Sequence, residues 1–400
     1  MTGRNITLDN PERFKGIYTI AEEKINKAIK KACDKLASKI DIYTDGFPLA
    51  YYKGFQYNYR VGENDNWICG LHTGCFLLAY ELTGEQKFLD VAKHHMESYK
   101  KRIKERIAFQ DHDVGFVLSP SCVAYYKLTG DEEIKEYILD AVEYYYNHSY
   151  SQKGGFIMRD ADAVADNIEG GCRTMMDTML NIPLLYWAAE VTGNKKYAEA
   201  ADSQAEITNN YLIRSDASTY HHYQFDLENH APVYGLTFQG NRDESTWSRG
   251  HSWGILGYPI AYSYTKNDKY LEIQKELVYY LLNHLPSDNV PYWDFDYVSG
   301  DEPRDSSAGL VSACGMLEAV KYMTDDNPLK EIYLNSSAKL IEGTIDMCTG
   351  DIDTEYDGLI YRATGARKAN LGVDGCGMYG DYFYLEALLR YIKPEWKMYW

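Results

Sequence analysis

Residues 69–103 read CGLHTGCFLLAYELTGEQKFLDVAKHHMESYKKRI, and they contain one complete unit of a pattern that returns along the chain. The first part, 69–82, is apolar nearly all round, which is typical of a helix buried on most sides. Thr83 and Gly84 then interrupt the pattern as a helix C-cap would. The run that follows has one apolar stripe and a charged face, which is typical of a helix on the outside of a fold. The stretch therefore predicts a helical hairpin with an inner and an outer arm.

The same kind of turn occurs five times, each time after an apolar run and before a charged, amphipathic one. The turns are ELTGEQKF (81–88), KLTGDEEI (127–134), EVTGNKKY (190–197), SYTKNDKY (263–270) and YMTDDNPL (322–329). Their threonines lie 46, 63, 73 and 59 residues apart. This spacing is too irregular for a solenoid of identical repeats, but it suits helical hairpins joined by loops of variable length.

Two further helices complete the pattern at the ends of the chain. An amphipathic run without an inner partner opens it at 19–40, and an apolar run without an outer partner closes it at 379–392. The count of six inner and six outer helices predicts an all-α fold, an (α/α)6 barrel, with 1–400 forming a single domain. A two-domain α protein is the alternative, but no linker or change in composition marks a boundary. A short strand is expected within 218–226.

Composition narrows the classes of partner. The chain of 400 residues has 41 basic and 59 acidic side chains, a net charge of −18. This argues against nucleic acid or an anionic membrane as the main partner, because both require a basic surface. The 38 tyrosines suit a wet cleft that binds carbohydrate, and they suit ordinary helix packing equally.

The location and the redox state follow from what the sequence lacks. It has no signal-peptide pattern at 1–16 and no run of 18 apolar residues, so neither secretion nor a membrane span is expected. The eight cysteines show no metal-ligand spacing, and several lie in apolar runs. We predict a cytoplasmic protein, a monomer or homodimer, with reduced cysteines.

The inner helices of such a barrel run parallel, so that their N-terminal ends meet at one mouth. Unusual polar and aromatic residues lie at these ends in the sequence. They are Trp67, 111–116 (DHDVGF), 176–177, 246–253 (TWSRGHSW), 302–309 and 378–384. Six separate segments that contribute polar groups to one rim predict a functional site there.

Two carboxylates stand out at this mouth, Asp113 and Asp177. Each could serve only as a helix N-cap, since Asp is among the residues preferred there. Their apolar neighbours instead predict burial, and two buried acids at one site raise the pKa of at least one of them. A carboxyl group that keeps a proton near neutrality is what general acid–base chemistry requires.

The remaining rim residues also have structural alternatives. His221 and His222 lie in an aromatic-rich strand and could simply pack there. Arg249 could pair with Asp243 or Glu244, and Trp67, Trp247 and Trp253 could belong to the core. The sequence has no HExxH spacing, no G-x-S-x-G elbow and no glycine-rich phosphate loop, so no metal or cofactor is expected.

Several motifs together resemble the unsaturated glucuronyl hydrolases of glycoside hydrolase family 88. They are HDVGF (112–116), RTMMDTMLNIPLL (173–185), STYHHYQFD (218–226), TFQGNRDESTWSRGHSWGI (237–255) and YGDYFYLEAL (379–388). The resemblance runs from about Trp67 to the last helix and keeps the order of the family's motifs. It implies an (α/α)6 barrel that removes the 4,5-unsaturated uronic acid from glycosaminoglycan oligosaccharides left by polysaccharide lyases, by hydrating the C4=C5 vinyl ether without a cofactor.

The resemblance also implies roles for individual residues. Asp177 corresponds to the general acid/base, and Asp113, with His112, to a second acid near the sugar hydroxyls. The other substrate-site positions that it implies are Trp67, His221, Gln239, Arg249, Trp253 and a tyrosine of the last helix, either Tyr382 or Tyr379.

The sequence departs from the family pattern in three places that bear on the leaving sugar. The loop 154–171 lacks a tryptophan expected there for stacking, and positions 72 and 251 are both His. The related unsaturated rhamnogalacturonyl hydrolases are a second candidate. Other classes are a saturated-sugar glycosidase or epimerase on the same barrel and a non-catalytic sugar-binding toroid.

A basic, glycine-rich segment, 357–377, must loop over the mouth to reach the last inner helix. Its Arg367 and Lys368 have two interpretations. They could be solvated surface charges, or they could bind a sulfate or carboxylate on the leaving sugar through charge-assisted hydrogen bonds.

Overall fold

Twelve main helices form the predicted (α/α)6 barrel in a computed structural model that describes residues 3–50, 58–166, 171–349 and 356–400. The inner helices are Ile68–Thr83, 114–129, Pro183–Thr192, Ser248–Thr265, Ser306–Val320 and Met378–Ile392. The second of them consists of Val114–Leu118, a π-helical turn Ser119–Val123 and Ala124–Thr129, and a 3₁₀ turn Met176–Leu180 precedes the third. The outer helices are Glu22–Ala37, Gln86–Lys104, Glu132–His148, Lys195–Ile207 (prolonged by a π turn, Thr208–Leu212), Asp268–Asn283 and Pro328–Cys348.

The inner helices contact one another in sequence order, and the last inner helix packs against the first, which closes the ring. Each outer helix packs on an inner one. The opening outer helix, Glu22–Ala37, contacts both Ile68–Thr83 and Met378–Ile392, and so it covers the place where the two ends of the chain meet. The expectation that the first and last elements close the barrel is confirmed.

Four of the five predicted turns share one set of hydrogen bonds. In the first, the Thr83 hydroxyl donates to the carbonyl of Ala79 and accepts from the N–H of Glu85. Thr129, Thr192 and Thr265 make the corresponding contacts. The residue after each threonine has positive φ, a conformation that favours glycine. In three turns this residue is glycine, Gly84, Gly130 or Gly193, and in the fourth it is Lys266, which also has positive φ. The fifth turn differs, because its inner helix ends at Val320, before Thr324.

Short strands occupy the long loops. Phe47–Pro48 pairs with Val61–Gly62, and Tyr150–Ser151 pairs with Phe156–Ile157. At the mouth, Arg173–Met175, His222–Phe225 and Pro232–Leu236 form a three-stranded antiparallel sheet. The strand expected within 218–226 is confirmed as the central strand of this sheet. Three short helices, Pro11–Phe14, Ile40–Tyr43 and Ala161–Ala165, complete the described elements.

One glycine brings two site-forming segments together. A Cβ atom on Gly115 would lie 2.4 Å from Cα of Asn181, so no side chain fits there. The start of the second inner helix can therefore pack directly against the turn that follows Asp177. Around it, one continuous apolar core extends from Phe14 to Trp400. Within the described ranges, no helix is long and apolar enough to span a membrane.

Candidate active site

A cavity of about 320 Å³ opens at the mouth of the barrel. Trp67, Asp113 and Trp247 directly precede three of the inner helices and contribute to its wall. One face of the mouth sheet, the turn that carries Asp177, the segment with Phe238 and Gln239, and a C-terminal loop form other parts of the wall. The complete lining is Trp67, Asp111, His112, Asp113, Arg159, Arg173, Met175, Asp177, His221, His222, Phe238, Gln239, Trp247, Arg249, Trp253, Ala366 and Leu371. The structure thus brings together most of the residues expected from the sequence.

The first carboxylate belongs to a short acid–histidine–acid sequence. His112 Nε2 lies 3.3 Å from Asp113 Oδ1, and His112 Nδ1 contacts Asp111 on its other side. The ring is therefore held between two carboxylates. Asp113 is the residue before the helix Val114–Leu118, but its side chain makes no capping hydrogen bond. The interpretation of Asp113 as a simple N-cap is therefore not supported.

The second carboxylate faces the histidines of the central strand. His221 Nε2 lies 3.5 Å from Asp177 Oδ2 and 3.1 Å from His222 Nε2. On the other side of the ring, His221 Nδ1 accepts from the backbone N–H of Gln239 at 3.5 Å. This contact favours the tautomer with its proton on Nε2, directed towards Asp177. Asp177 is the second residue of the turn Met176–Leu180 and not its N-cap.

Asn181 connects the two acids, and the sequence analysis did not identify it. Its side-chain Nδ2 donates to Asp113 Oδ1 at 3.4 Å and to the carbonyl of Asp177 at 3.2 Å. Its Oδ1 accepts from the backbone N–H of Phe116 at 3.0 Å. The sequence does indicate this residue, because Asn181 is a polar residue within an otherwise apolar run, MLNIPLL, four residues after Asp177.

The two acids differ in protonation. Burial raises the pKa of Asp113 to about 7, and the charges of Asp111 and Asp177 add to the effect against the opposing charge of His112. Burial would also raise the pKa of Asp177. There, however, the adjacent His221, with its Nε2 3.5 Å from Oδ2, and the positive charge of His112 outweigh burial and hold the pKa below its usual value. The site thus keeps a proton near neutrality, as expected from the sequence, and it keeps it on Asp113.

The two histidines nearest the acids, His112 and His221, also differ in protonation. Burial alone would lower the pKa of His112, but the carboxylates of Asp113 and Asp111 reverse this and raise the pKa to about 9. For His221, burial prevails over the attraction of Asp177 and lowers the pKa. At pH 7 the cavity therefore contains one imidazolium, His112, and a neutral His221.

Arg249 has a different partner from the two expected. Its guanidinium forms a buried ion pair with Asp305, 56 residues further along the chain, and not with Asp243 or Glu244. It also donates to the carbonyls of Thr364 at 2.8 Å and Gly365 at 3.0 Å. These contacts attach the C-terminal loop to the fourth inner helix, so Arg249 supports the cavity wall as well as lining it.

Aromatic side chains form the remaining walls. Trp67 is stacked on Tyr379, with ring centroids 5.8 Å apart, and the Arg249 guanidinium lies 4.0 Å from the centroid of Tyr379. Trp253 lines the cavity, and its buried Nε1 has no hydrogen-bond partner among the described residues. It is available as a donor to a ligand.

Of the two candidate tyrosines, Tyr379 is the one beside the site. Tyr382 is fully buried, packs with its ring 5.9 Å from Trp400, and does not line the cavity. His72 and His251, the two departures from the family pattern, are also buried outside the cavity lining. Most of the loop 154–171, where a tryptophan was expected, is described, but 167–170 lie outside the described residues.

The C-terminal loop reaches the mouth as expected. Gln239 Nε2 donates to the carbonyl of Gly365 at 2.7 Å, and Ala366 and Leu371 line the cavity. Arg367 and Lys368 lie at the exposed tip between them, outside the lining, and Arg367 Nε is 3.7 Å from Glu302 Oε2. This position supports the interpretation of both residues as solvated charges.

One group of residues in the described part of the chain has the geometry to hold a metal ion. Ligand atoms of Asp111, His112 and Asp113 lie within 4.8 Å of one another. His112 Nδ1 already contacts Asp111 Oδ1, however, and acid–base chemistry at the two aspartates requires no ion.

Comparison with known proteins agrees with this geometry. The profile described as Glycosyl Hydrolase Family 88 matches residues 39–347. The unsaturated chondroitin disaccharide hydrolase of Streptococcus pneumoniae is 34% identical over 98% of both chains. The crystal structure of unsaturated glucuronyl hydrolase from Streptococcus agalactiae is also 34% identical, with a TM-score of 0.92 over 98% of both chains. A mutant of the latter complexed with dGlcA-GalNAc6S has a TM-score of 0.85 at 32% identity, over 99% of this chain and 100% of that one.

Proposed function

The chain belongs to Glycosyl Hydrolase Family 88, and we propose that it removes the 4,5-unsaturated uronic acid from the non-reducing end of glycosaminoglycan oligosaccharides of the chondroitin, hyaluronan or heparin type. One observation carries this proposal. Two mostly buried aspartates whose pKa values are shifted in opposite directions, Asp113 upwards and Asp177 downwards, face a single cavity lined by aromatic rings. Such a pair suits proton transfer to carbon, and flat aromatic walls suit a sugar ring.

The reaction is the addition of water to a vinyl ether. A carboxyl proton is transferred to C4 of the unsaturated ring, and a water molecule adds its oxygen to C5 and returns a proton to the carboxylate. The resulting hemiketal opens by cleavage of the bond from C5 to the ring oxygen, which leaves a ketone at C5. The hemiacetal at C1 then releases the second sugar. We assign the proton transfer to Asp177.

Asp177 must gain a proton before it acts as the acid. The bound substrate carries its own carboxylate and displaces water, and both effects raise the pKa of neighbouring acids. Asp113 and His112, the groups of the cavity that hold a proton near neutrality, both interact electrostatically with Asp177 and can supply the proton. In this scheme Asp113 and His112 bind the sugar hydroxyls, and His221 orients the Asp177 carboxyl.

The other residues bind and position the substrate. We assign the aromatic wall to Trp67, stacked on Tyr379, and a hydrogen-bond donor to Trp253 Nε1. Gln239 and Arg249 hold the loop 362–371 over the mouth and complete the wall. The continuous core supports one catalytic domain over 1–400, and eight buried free cysteines support a cytoplasmic location. We expect a monomer or homodimer with no nucleic-acid partner.

Loss of the ultraviolet absorbance of the conjugated double bond tests the proposal. The substrates are unsaturated disaccharides from chondroitin, hyaluronan, heparin and pectin, and their saturated counterparts are controls. Turnover of the unsaturated glycosaminoglycan disaccharides alone is expected. Preference for the pectin product would indicate a rhamnogalacturonyl hydrolase, turnover of saturated sugars an ordinary glycosidase or epimerase, and binding without turnover a sugar-binding toroid.

A further inference from the structure

One carboxylate that the proposed mechanism does not use holds three segments together beside the cavity. Asp381 lies in the first turn of the last inner helix, and its side chain is buried. Its Oδ1 accepts from the backbone N–H groups of Leu359 at 2.8 Å and Ile360 at 3.1 Å. Its Oδ2 accepts from the hydroxyl of Tyr59 at 2.9 Å. The side chain therefore joins the last inner helix to the C-terminal segment 357–377 and to the segment around Tyr59.

A second acid holds the same tyrosine by its backbone. Asp357 Oδ2 accepts from the backbone N–H of Tyr59 at 3.0 Å. The other oxygen of this carboxylate, Oδ1, accepts from Lys39 Nζ at 2.6 Å, just after the opening outer helix. Tyr59 is thus fixed at its N–H by Asp357 and at its hydroxyl by Asp381. The network consequently sets the position of this segment relative to both the C-terminal segment and the last inner helix.

The three segments carry groups that form or support the cavity wall. Tyr379 lies two residues before Asp381 and is stacked on Trp67, which follows the Tyr59 segment along the chain. The C-terminal segment continues from its two bonded N–H groups to Ala366, which lines the cavity. Asp381 itself does not line the cavity. It can therefore influence a bound substrate only through the residues that it holds.

The protonation of Asp381 suggests a conservative replacement. Burial raises the pKa of Asp381 to about 7, against the opposing hydrogen bonds from Ile360 and Tyr59 and the opposing charge of Lys35. Below this pH the carboxyl is uncharged, with one oxygen that can donate and one that accepts. An asparagine side chain has nearly the same shape and the same capacity to donate and accept. Asp381→Asn should therefore preserve the network, whereas Asp381→Ala removes it.

We propose that Asp381 and Tyr59 are positioning residues for the reaction, which hold the wall of Trp67 and Tyr379 and the C-terminal segment in place around the unsaturated ring. The inference rests on the proposed function and adds two residues outside the cavity to its machinery. Residues that bind a substrate must be held by supporting hydrogen bonds, because a small displacement of the wall weakens its contacts with the sugar.

The test measures kcat and KM for an unsaturated chondroitin disaccharide across a range of pH. Tyr59→Phe removes one hydroxyl and should raise KM about two- to ten-fold with a smaller change in kcat, because the wall binds the sugar in the ground state as well. Asp381→Ala should raise KM further, and Asp381→Asn should keep it within about two-fold of the wild type. The inflections of the pH profile should stay in place in every variant.

Tyr333→Phe is the matched control for the loss of a buried tyrosine hydroxyl. Tyr333 is also buried, and its hydroxyl donates to Gln274 Oε1 at 2.8 Å. This hydrogen bond joins two outer helices, Asp268–Asn283 and Pro328–Cys348, and neither residue lines the cavity. The control variant should keep the wild-type KM. Circular dichroism confirms folding, and Tyr59→Phe, which retains the aromatic ring, tests the network even if Asp381→Ala does not fold.

Four outcomes would overturn the positioning role. An unchanged KM in Tyr59→Phe would show that the wall does not depend on this hydrogen bond. An equal rise of KM in Tyr333→Phe would assign the effect to a general loss of stability. An equal loss in Asp381→Asn and Asp381→Ala would assign the effect to the charge of the carboxylate. A shifted inflection in the pH profile would show that Asp381 acts on the pKa of Asp113 or Asp177.

Hydrogen exchange keeps this inference separate from the proposed function, because it requires no substrate. Amide exchange in the segment 359–366 should be faster in Asp381→Ala than in the wild type, and it should be unchanged in Asp381→Asn and Tyr333→Phe. Unchanged exchange in Asp381→Ala would show that the segment is held without Asp381 and would also overturn the inference. Absence of turnover by the wild type would instead contradict the proposed function.

Discussion

Asn181 donates a hydrogen bond from Nδ2 to Asp113 Oδ1 at 3.4 Å, and the same nitrogen donates to the carbonyl of Asp177 at 3.2 Å. One amide group thus links the carboxyl of Asp113 to the backbone of Asp177, although the two residues are 64 positions apart in the sequence. The neutral amide adds no charge of its own. It therefore fixes the position of the Asp113 carboxyl while the difference in pKa between the acids is set by burial and by the histidines.

Replacement of Asn181 by Ala should lower kcat more than it changes KM, because Asp113 loses the group that orients it. Loss of the hydrogen bond should also move the pKa of Asp113 further upwards, since Asn181 stabilises its ionised form. The measurement is the pH profile of kcat/KM. Asn147→Ala, at an exposed amide on an outer helix, is the control. An unshifted profile with normal kcat would show that Asn181 serves only the fold.

Asp177→Asn should abolish turnover and leave the fold intact. The carboxyl must donate a proton to carbon and recover one from water, and an amide does neither. Loss of one general acid–base group costs on the order of 10²–10⁴-fold in rate. Steady-state kinetics measure the loss of turnover, and circular dichroism checks that the variant is folded. Near-normal kcat in this variant would transfer the role to Asp113 or end the proposed mechanism.

The raised pKa of Asp113 should appear in the pH dependence of stability. The native state holds this proton up to about pH 7, whereas the unfolded chain releases it near 3.8. Between these values the unfolded state binds fewer protons, so the wild type loses stability as pH rises, by on the order of 1–4 kcal/mol.

Asp113→Asn removes this titration and is the reference. The Tm of the wild type minus that of the variant, measured from pH 4 to 6.5, should fall steadily as pH increases. A constant difference would mean that Asp113 is ionised throughout this range.

Arg249→Ala should impair substrate binding and positioning without moving the inflections of the pH profile. Its guanidinium remains charged at all relevant pH values and cannot act as the acid. The change also leaves Asp305 buried without its partner, which typically costs about 3–5 kcal/mol of stability. Arg249→Ala/Asp305→Ala should recover part of the Tm but not the activity. A shift of the acidic limb of the pH profile in Arg249→Ala would instead show that Arg249 sets the pKa of Asp113 or Asp177.

Arg367 and Lys368 lie at an exposed tip, where ion pairs contribute about 0.2–1 kcal/mol. Arg367→Ala/Lys368→Ala should therefore raise KM for sulfated chondroitin disaccharides by no more than about five-fold, and less at high salt. The comparison is made with the unsulfated disaccharide in low and high salt. A larger, sulfate-specific loss would assign the anion clamp to this loop.

The sequence alone determined the barrel and most of the site. The Thr–Gly turns are encoded locally, because the threonine hydroxyl contacts only residues two and four positions away. The contrast between apolar and amphipathic runs assigns each helix to the inner or outer ring, and this order brings Trp67, Asp113, Asp177 and Arg249 to one mouth.

Only the tertiary structure decided what depends on contacts between distant segments. Burial by separate elements and the charges of Asp111 and Asp177 raise the pKa of Asp113, whereas His221 and His112 hold that of Asp177 low, so Asp113 and not Asp177 keeps the proton. The partner of Arg249 is Asp305, from the next inner helix and not from its own loop. Arg159 and Arg173 adjoin only because two loop segments pair at the mouth. Sequence patterns report local periodicity, whereas electrostatic partners are set by which elements pack together.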